Sequence, residues 1–369
     1  MADALAPSVR RRGARQAPGP LSPLGTSAHP AAARRFRLDF TLTTGSPGVA
    51  GERFGGSVAA AGDTIIVGGS SDATRGVVAV FDARTGALRS DLRTPDPDAK
   101  DGFGAAVAAD GAHIAIGAPA AVAVHLYDAS GAPRATVRPS SSAAKQGFGR
   151  SVAVHAGQIA VGGNRTVHVF DATTARLIRR LDGPLGGVDR FGTAVAFGGQ
   201  ILFVGAPACH TPFPGRVYAY STRSGALLWS RTGPAPEPDD GFGHALSADG
   251  DVVAVGAPRT DGTSRDAAYL LSAHTGTLRR VYRTPPHSRG FGSAVALRGN
   301  RLLVGAPDDN AMGHPSGAAY LFATRTGTRL AAFRLSRERS ARSGEAVAFA
   351  DGQMIVGAPG AGVVGVYSL

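Results

Sequence analysis

Between Phe54 and the C-terminus the apolar residues fall in short runs in which large and small side chains alternate, each broken by Gly, Pro, Asp or Asn. Alternation with period two predicts strands, because successive side chains of an extended chain point to opposite faces. Residues 243–282 show one unit. Gly243 to Ala248 reads as a first strand, Asp249-Gly250 as a hairpin turn and Val252 to Gly256 as a second strand, which Pro258 stops because proline cannot donate to a ladder. Ala267 to Leu271 and Leu278 to Tyr282 follow as third and fourth strands, joined through His274-Thr275-Gly276.

The unit recurs. It opens at Phe54-Gly55, Phe103-Gly104, Phe148-Gly149, Phe191-Gly192, Phe242-Gly243, Phe291-Gly292 and a degenerate Ser343-Gly344, at intervals of 43 to 52 residues. After each first hairpin comes Val-Gly-Ala-Pro or a variant, intact at Pro207, Pro258, Pro307 and Pro359, nearly intact at Pro119, and reduced to Gly68-Gly69-Ser70 and Gly162-Gly163-Asn164. A repeat of this length holding four short strands is a propeller blade rather than a helical repeat. Phe148, Arg150 and Val152 are expected to point one way and Gly149, Ser151 and Ala153 the other, so that a large face stacks on a small one from blade to blade. Blade seven runs out at its third strand, Val363 to Leu369. Phe36 to Thr43 resembles the fourth strand Phe333-Arg334-Leu335-Ser336 and precedes the first Phe-Gly, so it is expected to complete blade seven and close the ring. The expected fold is all-β: one seven-bladed β-propeller of four-stranded antiparallel blades spanning residues 36–369.

Composition supports many short strands, since Gly 52 and Pro 24 make about a fifth of the 369 residues without a collagen period. With 43% hydrophobic and 18% charged residues the chain is not globally disordered. Residues 1–35, built from Ala, Arg, Pro, Gly and Ser, read instead as a disordered tail, with an organelle transit peptide as the alternative. Half of the +12 formal charge sits in residues 1–37, and only Lys100 and Lys145 are lysine, so nucleic-acid contact is expected only through the tail. No run reaches the roughly 18 apolar residues of a membrane span, and the first residues lack the apolar core of a secretory signal. A soluble, intracellular protein is the expectation, with the compartment left open. Cys209 is the single cysteine and forms no internal disulfide.

The repeated Phe-Gly and Gly-Ala-Pro pairs over residues 36–369 resemble the FG-GAP repeats of integrin alpha-subunit seven-bladed propellers and their bacterial relatives. That resemblance implies a non-enzymatic interaction module. Integrin-type blades carry Asp-x-Asp-x-Asp-Gly calcium loops in the first hairpin, whereas the hairpins here, such as Gly62-Asp63, Gly157-Gln158 and Asp249-Gly250, offer too few oxygens for calcium. Thr-Gly turns such as Arg84-Thr85-Gly86 are shared with quinoprotein propellers, but one Trp and no repeating Trp motif count against that group.

Loops that enter each Phe-Gly and leave each Gly-Ala-Pro must share a rim, and in blades four to six the outgoing loops are long. Recognition usually sits on such loops over a rigid scaffold. The candidates for a protein contact are His210, Phe213, Arg216, Arg259, Asp261, Arg265, Asp266, Asp308, Asp309 and His314, with Met312, Glu237, Asp239, Asp240, His287 and Arg289 nearby; the alternative is a solvated loop surface. A glycan-binding propeller is the second reading and a metal-assisted enzyme using His210, His314 and Asp308 a third, although no closely spaced ligand pair fixes a metal. Cys209-His210 adjacency does not make a catalytic pair. The second residue after each opening Phe varies, placing Arg150, His244 and Glu345 at the channel mouth, where they bind a small anion, act as acid and base, or are simply hydrated. No Gly-x-Gly-x-x-Gly cradle opens a helix and no Gly-x-Ser-x-Gly elbow is present, so no cofactor and no catalytic residue are expected.

Overall fold

The computed structural model describes residues 36–43, 53–70, 76–95, 101–139, 147–163, 165–186, 189–207, 213–259, 266–283 and 288–369. Within them the chain forms seven antiparallel sheets of four strands. First strands of neighbouring blades touch all round, including Val347–Ala350 of blade seven against Ser57–Ala61 of blade one, which makes them innermost and closes the ring. The outermost strand of blade seven is Leu38–Leu42, paired with Val363–Ser368 from Leu38↔Tyr367 to Leu42↔Val364. The expected closure is therefore present, with a shorter strand than Phe36 to Thr43. Phe36 still packs edge-on against Phe333 at 6.0 Å, and Asp39 accepts the Ser368 hydroxyl at 2.6 Å. The tail 1–35 lies outside the described residues.

Blade five consists of Ala245–Asp249, Val252–Ala257, Ala267–Ser272 and Leu278–Arg283. Its first strand begins two residues later than the hydrophobic pattern suggests, because Phe-Gly is a turn. In all seven blades the residue after Gly donates its N–H to the carbonyl of the residue before Phe (Ser343 in blade seven), at 2.9–3.1 Å. The Gly takes φ from +85° to +96°, the third position of a type II turn, which side chains disfavour. Arg150 consequently sits in a turn and projects to solvent, while the alternation expected of the strand starts at Ser151. Ser151 Oγ donates to Gly192 of blade four at 2.8 Å, whereas Val152 packs with Phe148 against Val124 and Leu126 of blade two.

The turn aims each Phe inward. Six of the seven openings carry Phe at 0–2% exposure, and burying one such ring contributes about 1.5–3 kcal/mol. In blade seven Ser343 takes that place and accepts a hydrogen bond from Leu335 N. Gly365 opposite leaves room into which the Leu335 side chain fits, so an aliphatic group supplied from outside the motif replaces the missing ring.

The two glycine columns meet. The Phe-Gly glycine donates its N–H to the Gly of Gly-Ala-Pro in its own blade at 2.8–3.1 Å. Its carbonyl oxygen presses on the corresponding Gly of the preceding blade, so that a Cβ placed on Gly68, Gly117, Gly162, Gly205, Gly256, Gly305 or Gly357 would lie 1.9–2.4 Å from that oxygen. The same contact joins blade seven to blade one through Gly357 and Gly55. Both motif glycines are thus fixed by one inter-blade contact repeated seven times.

Candidate functional site

Incoming and outgoing loops share one rim. Ala120 and Ala121 donate to the Asp101 carbonyl at 3.0 and 3.2 Å, Pro214 bridges to Pro238, and Gly317 bridges to Ser343. Buried aspartates pin these loops at their bases. Asp240 accepts from Gly215 N at 2.9 Å and Phe242 N at 3.0 Å, tying the blade-four loop to the blade-five turn. Asp266 does the same between Arg259 N (2.7 Å) and Phe291 N (3.2 Å). Asp309, fully buried, accepts from the Tyr320 hydroxyl and from Arg334 at 3.1 Å. Burial raises the Asp240 carboxyl above the usual range, against the N–H groups that hold it ionised. Burial and the Asp309 charge push the Tyr320 phenol well above its usual range.

The rim candidates therefore separate by depth. Asp266 and Asp309 are interior braces. Arg259 is half-buried and pairs with Glu237 at 2.9 Å, and Arg216 reaches Ser230 at 3.3 Å. Phe213 (44% exposed), Met312 (40%) and Leu185 (42%) are at the surface, and the carboxylate of Asp308 is half-exposed. His314 Nε2 donates to the Arg337 carbonyl. His210, Asp261 and Arg265, together with Cys209 and His287, lie outside the described residues. Among the described residues no group of three His, Cys, Asp or Glu side chains is placed to hold a metal ion.

A second feature is the channel mouth. A cavity of about 360 Å³ opens there, lined by Arg53, Ser70, Pro119, Arg150, Thr193 and Glu345 together with small residues of blades one and two. Glu345 pairs with Arg53 of blade one and with Arg342 of its own turn, and Arg342 reaches Asp308 of blade six at 3.1 Å. This chain of charges crosses three blades. His244, one of the expected mouth residues, is not among those lining the cavity; burial and the nearby Arg190 charge lower its pKa. Arg53, Arg190 and Arg342 escaped the sequence reading, although alignment of the repeats exposes them: the residue before Phe-Gly is Gly in four blades and Arg in these three.

Sequence reasoning also missed a polar column between blades. The opening Phe packs edge-on or tilted against Tyr218, Tyr269 and Tyr320 in blades four to six but against His125 and His168 in blades two and three, at 5.3–5.9 Å. His125 Nδ1 meets Thr136 at 2.9 Å, while both ring nitrogens of the fully buried His168 lack a partner.

Residues 235–271 and 287–322 match the family model described as FG-GAP repeat. Those two stretches carry FG-GAP repeats, within a seven-bladed β-propeller whose blades all open on the same turn. A second model, described as outer membrane protein assembly factor BamB, matches residues 74–237, a stretch that includes the Arg84-Thr85-Gly86 turn. No curated protein matches the sequence. Among solved structures, the Neurospora crassa Pan2 WD40 domain is similar with a TM-score of 0.65 at 10% identity, covering 91% of this chain and 95% of that one. At that identity the likeness is one of fold. No described helix is long and apolar enough to cross a membrane.

Proposed function

We propose that this propeller is a non-enzymatic scaffold that binds a protein partner through the rim loops of blades four to six. The observation that supports the reading is the pairing of exposed Phe213 and Met312 with loops whose bases are held by buried Asp240 and Asp309. Apolar anchors on a preorganised base are what a protein interface uses, because little entropy is lost when the loops are already fixed. Asp308, His314 and Arg289 form the polar surround. Asp240, Asp266 and Asp309 act through loop geometry rather than contact.

Affinity capture from the source cells, comparing wild type with Phe213→Ser/Met312→Ser/Asp308→Ala, tests the reading. Equal melting temperatures establish that the variant is folded. A protein enriched by wild type and lost with the variant is the expected result; a partner set unchanged by the substitutions would refute rim binding.

A further inference from the structure

The channel mouth has chemistry of its own and shares only Asp308, through Arg342, with the rim loops. Its turns place one residue before each Phe-Gly, and in six blades that residue has positive φ: Gly102, Gly147, Gly241 and Gly290, but Arg190 (φ +54°) and Arg342 (φ +57°). A side chain there costs roughly 1–2 kcal/mol relative to glycine. Two blades therefore hold a guanidinium at a left-handed position that is otherwise glycine. Arg53 occupies the matching place in blade one, and Arg150 is added from the turn of blade three.

The charges do not cancel. Glu345 is shared by Arg53 and Arg342, and Asp308 also meets Arg342. That leaves four guanidinium groups against two carboxylates, and neither the exposed Arg150 nor Arg190 has a carboxylate partner among the described residues. Of these groups Arg53, Arg150 and Glu345 line the cavity, two guanidinium groups against one carboxylate, with Arg150 the one not paired to it. The cavity of about 360 Å³ falls at the lower end of the range for small-molecule sites, about 300–1,000 Å³, room for about a dozen water-sized groups at roughly 30 Å³ each. A guanidinium presents paired N–H donors that match carboxylate and phosphate oxygens, and low-dielectric walls strengthen that contact. Thr193 spends its hydroxyl on the Arg190 carbonyl at 2.8 Å, which leaves the Ser70 hydroxyl as a donor beside the guanidinium groups.

We infer that the mouth binds a small oxyanion, a carboxylate or phosphate group, with Arg150 as its principal contact and Arg190 contributing to the field. The group belongs either to a free small molecule or to an acidic side chain of a polypeptide.

Isothermal titration of the full chain with citrate and with inorganic phosphate, at ionic strength fixed by chloride, tests this. Wild type is expected to bind at least one of them at a single site. Arg150→Gln should weaken binding at least tenfold, and Arg134→Gln, whose partner Asp128 lies in an outer hairpin, should leave it unchanged. Glu345→Gln removes the one carboxylate lining the cavity and should tighten binding, an effect that a merely structural role for these residues does not produce. A hexaglutamate peptide serves as the second arm: competition with citrate at equal or better affinity identifies a polypeptide side chain, and weaker competition identifies a free small molecule. Absence of binding by wild type to both anions, or binding unaffected by Arg150→Gln, overturns the inference.

Discussion

Gly256→Ala tests the inter-blade contact on which the ring depends. An Ala Cβ at this position would lie 2.0 Å from the Gly292 carbonyl oxygen of the next blade. Carbon and oxygen normally approach to about 3.3 Å, so blade six would have to retreat by more than an ångström at its innermost point. A gap of that size forfeits about half or more of the dispersion energy across the surface it opens, and overpacking a tight core costs about 1–3 kcal/mol, occasionally more. The ring is closed, so the displacement also presses on the remaining interfaces. About 3 kcal/mol of destabilisation is expected. The sign is informative, because Gly→Ala in a strand with free space would instead stabilise by about 0.5–1 kcal/mol. Gly250→Ala is the control: it sits at φ +56° with nothing within 4 Å of the added carbon, and should cost only about 1–2 kcal/mol. Urea unfolding with a shared m-value measures both. A Gly256→Ala protein as stable as wild type, or more stable than Gly250→Ala, would refute the reasoning.

Three further outcomes follow from the packing. Deleting residues 1–33 should leave melting unchanged, whereas deleting 1–44 removes the strand Leu38–Leu42 with buried Leu42 and Phe36 and should lower the melting temperature strongly; equal melting of the two forms would contradict closure by this strand. His168, without exposure, has its pKa lowered from 6.5 to about 4 by burial and then by Arg180. Its neutral form is the one the fold accepts, so its contribution is complete above pH 6.5 and is lost as pH falls toward 4, about 3 kcal/mol at roughly 1.4 kcal/mol per unit. His168→Phe should remove that part of the acid sensitivity, which denaturant melts at pH 7 and pH 4.5 measure; parallel profiles would count against it. Asp309→Ala leaves the Arg334 charge and the Tyr320 hydroxyl short of a partner in the interior and should cost about 3–5 kcal/mol by the same melts; a cost below about 1 kcal/mol would show that the pair is solvated.

The ring was legible because its instructions repeat: seven Phe-Gly openings, seven second-strand glycines and a stray strand resembling Phe333–Ser336 leave little freedom in topology. The start of each first strand was not, since Phe-Gly reads equally well as the head of a strand until its type II hydrogen bond is seen. The rim was readable in outline only. Asp240, Asp266 and Asp309 look in sequence like surface carboxylates, because spacing does not tell an aspartate that turns inward to backbone N–H groups from one that faces water. Arg53, Arg190 and Arg342 were within reach, as departures from a glycine column, yet they acquire meaning only when the turns converge around the mouth. The loss of Phe at Ser343 was visible; the compensating Leu335 was not, because it comes from outside the motif.

Cross-linking mass spectrometry on the captured complex tests the proposed function most directly. Cross-links and protected side chains should concentrate on residues 213–216, 234–240, 288–290 and 308–316, and the Phe213→Ser/Met312→Ser/Asp308→Ala protein should lose them together with the partner. Cross-links confined to the outer fourth strands or to the opposite rim, with the partner still bound by that variant, would contradict the account.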